Sequence, residues 1–285
     1  MISLVAGVVV LYNPDDTILS NINSYINDVD ALFAVDNSEA INQSFVEQLT
    51  KNSKIQYINN GGNQGIAHAL NVGANKAIEL GYKWLLTMDQ DSKVTQTMLH
   101  EMFECTHDKD LSTISIIAPF HANPYHTSLV SEEQCSPVLV IMTSGNLLNL
   151  LAYKVIGPFL EEFFIDYVDN EYCLRSNKMG YHVIQASRAI LNHKLGDLKR
   201  HKFLWKRFYS TNHSPIRRYY AFRNRLKIIK IYKEHLPDYC KFEKSRFFVD
   251  AVIVLLYEKQ KFKKFKMMLR GYLDYKRNIF GKYHD

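Results

Sequence analysis

Nothing in these 285 residues is long and apolar enough to cross a bilayer. The longest late apolar run, Phe247 to Tyr257, is interrupted by Asp250 and falls well short of the roughly 20 residues that a spanning helix needs. Met1 to Tyr12 is apolar, but it has no leading Lys or Arg and no small-residue cleavage pattern, so it reads as a buried first strand rather than an export signal. Cysteine is scarce. Cys105, Cys135, Cys173 and Cys240 form neither a close pair nor a zinc-ligand spacing, and are expected as reduced, buried thiols of a cytosolic protein. Seven prolines, no low-complexity tract and no internal repeat leave no mark of a long flexible linker. The glycines match neither Gly-x-Gly-x-x-Gly nor the Gly-Lys-Ser/Thr ending, which disfavours a dinucleotide dehydrogenase and a Walker ATPase.

What is present is a full core and a divided charge. With 47% apolar residues the chain can bury a catalytic domain and an appendage. Residues 1–198 hold 11 Lys plus Arg against 22 Asp plus Glu, a formal −11, whereas 199–285 hold 24 against 7, a formal +17. Concentrated acid suits metal binding and proton transfer, and a basic, aromatic tail suits phosphates in a ligand or on an anionic membrane. The boundary is therefore placed near residue 199.

Up to about residue 120, short β-branched runs alternate with helical stretches, the signature of βαβ units and a mostly parallel sheet. Strands are predicted at Leu4 to Leu11, Ala31 to Val35, Ile55 to Ile58, Lys83 to Met88 and Ile114 to Ala118, with helices between them. The clearest helix, Ile66 to Leu80, follows the loop Asn60-Gly-Gly-Asn-Gln-Gly65 and stops at Gly81. Beyond residue 120, a strand is predicted at Val138 to Met142, a helix at Tyr167 to Asn177 and a last strand at His182 to Ala186. Helices are expected after residue 199.

Ligands of an open parallel sheet bind beyond the carboxyl ends of its strands. Three of those ends are polar: Leu11-Tyr-Asn-Pro14, Val35-Asp-Asn-Ser38 and Met88-Asp-Gln-Asp-Ser92. Asp89 and Asp91, two residues apart after a strand, can aim carboxylates at a hard cation, magnesium or manganese, shared with substrate phosphates. An isolated Asp-x-Asp is equally an ordinary capping turn. The loop ending at Gly65 permits close backbone approach before a helix start, although a plain strand-to-helix turn has the same form. Phe163 to Arg175 carries Asp166, Asp169 and Glu171 at a helix start, where carboxylates also serve simply to cap amides. A partly apolar pocket would raise the proton affinity of one of them, and Asp169 is the candidate base. His193 can ligate metal as neutral imidazole, or be structural.

In order and together, these segments resemble the inverting glycosyltransferases of family 2, above all the bacterial rhamnosyltransferases. Ser144-Gly-Asn146 and Ser214-Pro-Ile-Arg-Arg-Tyr-Tyr-Ala-Phe-Arg-Asn224 extend the likeness to residues 3 to about 225. The resemblance implies an α/β GT-A fold: a catalytic domain over 1–198, with a nucleotide-sugar half to about 120 and an acceptor half from 121, and a basic helical region over 199–285. It places Tyr12, Asn13, Asp36, Asn37, Gly65 and Asp89 at the nucleotide, Asp91 and His193 at Mg2+ or Mn2+, and Asp169 as the base. Arg217, Arg218, Arg223 or Arg225 would neutralise the departing pyrophosphate, with Arg217 and Arg223 put first. Family members often show Glu-Asp where this chain has Val168-Asp169, so the first carboxylate of that pair is absent and Asp169 keeps the second place.

The donor implied is dTDP-L-rhamnose, with UDP-sugars, including galactofuranose, as the alternative. The acceptor implied is a polyprenyl-pyrophosphate-linked glycan of O-antigen or capsule type. The basic runs Lys199-Arg-His-Lys202 and Lys259 to Lys266 are read as amphipathic helices on the anionic inner face of the cell membrane. Two other classes compete, a nucleic-acid binder using the same tail and a nucleotidyltransferase using the same carboxylates. The acidic first two thirds disfavour nucleic acid as a partner.

Overall fold

The computed structural model describes residues 4–122, 134–193, 199–203, 206–210 and 212–284. In chain order its elements are β1 (Val5–Leu11), α1 (Thr17–Ile22), β2 (Ala31–Asp36), α2 (Gln43–Leu49), β3 (Ile55–Asn59), α3 (Ile66–Glu79), β4 (Trp84–Asp89), β5 (Ser92–Val94) and α4 (Met98–Cys105). There follow β6 (Ile114–Ala122), β7 (Cys135–Val138), β8 (Asn146–Asn149), α5 (Leu150–Ile156), α6 (Val168–Lys178) and β9 (His182–His193). The last third holds β10 (Lys199–Phe203), β11 (Lys206–Ser210), α7 (Pro215–Tyr232), α8 (Pro237–Tyr257) and α9 (Lys261–Lys276).

β1 is apolar on both faces, Val-Ala-Gly-Val-Val-Val-Leu, as a strand covered on both sides must be. It pairs in parallel with β2 on one side and β4 on the other, and β3 adds to β2 in parallel. The sheet continues through β8, antiparallel to β4 and β6, then β9, which pairs in parallel with β6 and antiparallel with β5 and β7. This mostly parallel α/β sheet, flanked by helices, is the architecture expected from the sequence.

The chain divides into two compact units, Met1–Leu160 with Asp169–Lys194, and Glu161–Val168 with Leu195–Asp285. The short segment before α6 thus belongs with the C-terminal helices, although 26 residues of the first unit follow it in the chain.

Several local expectations fail. Val138 to Met142 is not a strand: pairing with β9 occupies Cys135–Val138 and stops there. β9 runs on to His193 because β5 gives its distal end a partner. Lys199-Arg-His-Lys202 lies in an antiparallel hairpin, β10 with β11, rather than a helix, since cross-strand pairing decides such a segment and the run by itself does not show it. Cys105 and Cys135 are joined as a disulfide with Cα atoms 5.5 Å apart, contrary to four reduced thiols, while Cys173 and Cys240 are free and buried. Thirty residues separate the pair in sequence, and only the packing of α4 and β7 against the common strand β9 brings them together.

α3 lies close over the sheet because small residues form its inner face, Ala67, Ala74 and Ala77 among them, with Gly73 at the closest approach. A Cβ at Gly73 would stand 2.4 Å from Cγ2 of Val8. Gly73→Ala is expected to destabilise the protein by roughly 1–3 kcal/mol through overpacking. That outweighs the about 1 kcal/mol that alanine gains over glycine in a helix. Chemical denaturation measures it, and an unchanged or raised midpoint would show that α3 can shift away from β1.

Candidate active site

Parallel pairing sets the geometry. Leu11 stands beside Asp36, Val10 beside Asp89 and Asp36 beside Asn59, so the carboxyl ends of β1, β2, β3 and β4 share one edge. Tyr12, Asn13, Asp36, Asn37, Asp89 and Asp91 all follow or end those strands, and the three polar turns picked out in the sequence do converge.

Side-chain hydrogen bonds then tie the turns together. Asp36, buried, accepts from the amide of Ser38 at 2.8 Å and from the hydroxyl of Tyr57 at 2.9 Å. That phenol is held well above its usual pKa by burial first and then by Asp36, so it stays a donor. Asn37 donates to the carbonyl of Gly65 at 3.0 Å and accepts from Asn60 at 2.8 Å, fastening the glycine loop to the end of β2. Gly65 has φ of 89°, a conformation that side chains resist, and its amide is held by Asn63 at 3.0 Å. Asn13, also left-handed with φ of 47°, donates its amide to the Ser38 hydroxyl at 2.7 Å.

Gln90, given no role in the sequence reading, clasps the backbone of Tyr12. Its Oε1 accepts from the Tyr12 amide at 2.8 Å and its Nε2 donates to the Tyr12 carbonyl at 3.2 Å. The residue between the two aspartates therefore links the ends of β1 and β4. The amide of Asp89 donates to the Ser144 hydroxyl at 3.1 Å, which donates to Ser92 at 2.7 Å, while His121 pairs with the Ser144 carbonyl at 2.8 Å. Ser144-Gly-Asn146 thus braces the Asp89 turn from β8. Tyr25, buried, lies near enough to Asp89 for that charge, after burial, to raise its pKa, and its hydroxyl has no partner among the described residues.

Asp91 is exposed and immediately precedes Ser92, which lies opposite His193 in the β5–β9 ladder. The two positions expected at a metal are thus neighbours across one strand pair. Among the described residues no three His, Cys, Asp or Glu side chains cluster as a protein-only metal site. One or two protein ligands fit magnesium or manganese shared with substrate phosphates, not a cation held by protein alone.

Asp169 opens α6 and lines a small pocket with Thr87, Thr143, Asn146, Phe159, Tyr172 and Cys173. Thr87 lies two residues before Asp89 on β4, so one strand contributes to both the pocket and the edge of polar strand ends. Tyr172 Oη and Asn146 Oδ1 are buried without a partner among the described residues. Glu171 is committed to Arg175, at 3.1 Å from Nε and 2.9 Å from Nη2, and Arg175 also donates to the carbonyls of Ile156 and Pro158. Of the two unit-one acids at this helix start, Asp169 is the one that lines the pocket.

The second unit holds the remaining predicted residues. Asp166 is ion-paired with Arg217, whose guanidinium is partly exposed. Arg223 is wholly buried: it donates to the carbonyls of Glu162, Phe163 and Gly281 and packs against Tyr219, Tyr220 and Phe280. Arg218 bonds Glu258, and Arg225 pairs with Glu243 at 3.1 Å and Asp250 at 2.7 Å. Sequence reasoning also passed over Asn224, whose amide nitrogen lies 2.9 Å from each of the carbonyl oxygens of Phe163, Ile165 and Asp166. Those carbonyls belong to a turn with positive φ at Phe164, Asp166 and Tyr167.

Residues 8–134 match the model described as Glycosyl transferase family 2. The chain is similar to the dTDP-rhamnosyl transferase RfbF of Shigella flexneri, 28% identical over 99% of this chain and 98% of that one. A low-salt glycan biosynthesis hexosyltransferase of Haloferax volcanii is 24% identical over 63% of each. Among solved structures, S. aureus TarS 1-349 aligns with a TM-score of 0.61 at 12% identity, over 95% of this chain and 80% of that one. GalNAc-T7, crystallised with UDP, GalNAc and Mn2+, aligns with a TM-score of 0.63 at 13% identity, over 97% and 56%. These two likenesses show the GT-A-like fold.

Two outcomes are expected. Asn224→Leu keeps the volume but removes the donor shared by three carbonyls that are buried or partly buried, so thermal unfolding should show a loss of roughly 1–3 kcal/mol. An unchanged melting temperature would mean that the turn holds itself. His213 has its imidazole pKa lowered, chiefly by burial and next by Arg217, from an ordinary 6.5. The unfolded chain then binds the proton more readily, so this contribution to stability is complete above about pH 6.5 and is lost as pH falls toward the folded pKa. His213→Gln should flatten the acid side of the stability profile, and an unaltered profile would remove His213 from it.

Proposed function

We propose that this chain is a family 2 glycosyltransferase and that it transfers L-rhamnose from dTDP-L-rhamnose to a lipid-linked glycan of a bacterial surface polysaccharide. The observation that carries the reading is that β4 serves two places at once, Asp89 at the nucleotide edge and Thr87 in the pocket lined by Asp169. The similarity to a dTDP-rhamnosyl transferase over nearly the whole of both chains supports the donor.

In this mechanism Asp36, Asn37 and the Tyr12–Asn13 turn bind base and ribose, and the loop ending at Gly65 lets the backbone approach the donor. Asp91 and His193 are the residues that would hold magnesium or manganese, and the chemistry such a cation would supply is neutralisation of the charge on the departing diphosphate. Arg217 is the cation proposed to assist it. Asp169 takes the proton of the acceptor hydroxyl as that oxygen attacks the anomeric carbon from the side opposite dTDP, so the configuration inverts. Its partly apolar pocket, walled by Ile116, Leu148 and Phe159, keeps water from competing. The enzyme works at the cytoplasmic face of the membrane, where the Cys105–Cys135 disulfide would be open to reduction.

Nucleotide release from dTDP- and UDP-sugars, with Mg2+ or Mn2+ and a lipid-linked acceptor extract, tests this. dTDP should appear from dTDP-L-rhamnose, with turnover falling about 100-fold or more in Asp91→Ala and in Asp169→Asn. Consumption of a UDP-sugar instead would replace the donor. Turnover within a few-fold of wild type in Asp169→Asn would remove Asp169 as the base.

A further inference from the structure

α8 has two opposite faces, one turned inward and one carrying large apolar side chains outward. Glu243, Phe247, Asp250 and Val254, at helical spacing, turn toward α7: Phe247 lies 4.6 Å from the Phe222 ring, and Asp250 and Glu243 pair with Arg225. The other face carries Phe242, Phe248, Leu255 and Leu256, with Phe248 76% exposed and Leu255 55%. Next in the chain, α9 sets Phe262 outward at 92% exposure and Leu269 at 59%. Large apolar surface left open marks a docking site.

The charge beside these faces identifies the occupant. Four carboxylates occur between Tyr239 and Lys276: Glu243, Asp250, Glu258 and Asp274. All four are consumed internally, by Arg225, by Arg218 with Lys264, and by Arg270. Lys241, Lys244, Lys261, Lys263 and Lys266 are exposed. The outward charge of α8 and α9 beyond Tyr239 is therefore of one sign. A second copy would bring the same lysines against these, and a nucleic acid would leave the leucines unmatched. An anionic bilayer supplies both complements, acyl chains for Phe and Leu and phosphate headgroups for Lys.

We propose that the outward faces of α8 and α9 form a docking surface for an anionic lipid bilayer, with Phe248, Leu255 and Phe262 entering the acyl boundary and the lysines at headgroup level. The inference deepens the membrane location in the reading above by naming the surface responsible.

The test is sedimentation of the full chain with vesicles of phosphatidylcholine alone or with about one-third phosphatidylglycerol, without donor or acceptor. Wild type should sediment with the anionic vesicles and lose binding as salt rises. Phe248→Ser and Phe262→Ser should each weaken binding about tenfold at an unchanged melting temperature, since neither side chain supports the core. Lys261→Glu with Lys263→Glu should abolish the preference for anionic lipid. Failure of the wild type to sediment at about 0.1 M salt would overturn the surface, as would indifference of binding to both Phe variants. So would a dimer that Phe248→Ser dissociates without lipid, or binding of duplex nucleic acid lost in the same variants. dTDP release in detergent, run alongside, separates the readings: turnover without vesicle binding sinks only the surface, and vesicle binding without turnover sinks only the donor assignment.

Discussion

The parallel pairing of β1 with both of its neighbours is the constraint on which the convergence of the polar strand ends depends. Antiparallel pairing on either side would send Asp36 or Asp89 to the opposite edge of the sheet. With both pairs parallel, every strand from β3 to β4 ends at the same crevice, and its polar turn falls there by register alone. β1 can hold that central place because it is apolar on both faces. The hydrogen bonds of Asp36, Asn37 and Gln90 then refine the edge, fastening each turn to the next. The polar groups of this edge are thus held in place by one another.

A second constraint lies in the turn just before α6. Three non-glycine residues, Phe164, Asp166 and Tyr167, adopt left-handed backbone, at a cost of order 1–3 kcal/mol each. That conformation persists because α7 and its surroundings over-determine it: Asn224 and Arg223 take the turn's carbonyls, Arg217 its aspartate, and Arg225 the hydroxyl of Tyr167. The arginine-rich sequence of α7 is thus spent largely inside its own unit.

Much of this was legible beforehand. The five strands predicted before residue 120, β1 to β4 and β6, fall within a few residues of their predicted places, because β-branched runs bounded by polar turns report burial directly. Asp89 and Asp91 stood out because polar residues at a strand's carboxyl end are rarely needed by the core. The short strands were harder, within the first 120 residues as well as beyond them. β5 and β8 are three and four residues long and owe their strand character to partners far away in the chain, and β7 is placed by β9 rather than by its own pattern. The Cys105–Cys135 bond was invisible for the same reason, and Asn224 looked like one more polar residue on a basic helix.

The sequence by itself determined the fold class, the resemblance to family 2 glycosyltransferases and the charge division between a −11 and a +17 segment, since periodicity, motif order and composition are properties of the chain. Only the tertiary structure decided what individual charged residues do. Arg223 and Arg225 read as free cations until long-range packing buried them, and Glu171 read as a candidate base until Arg175 was found beside it. The same packing took the carboxylates of α8 and α9 inward and left their lysines outside. A side chain's chemistry depends on burial and on partners distant in sequence, and those are fixed when the elements come together.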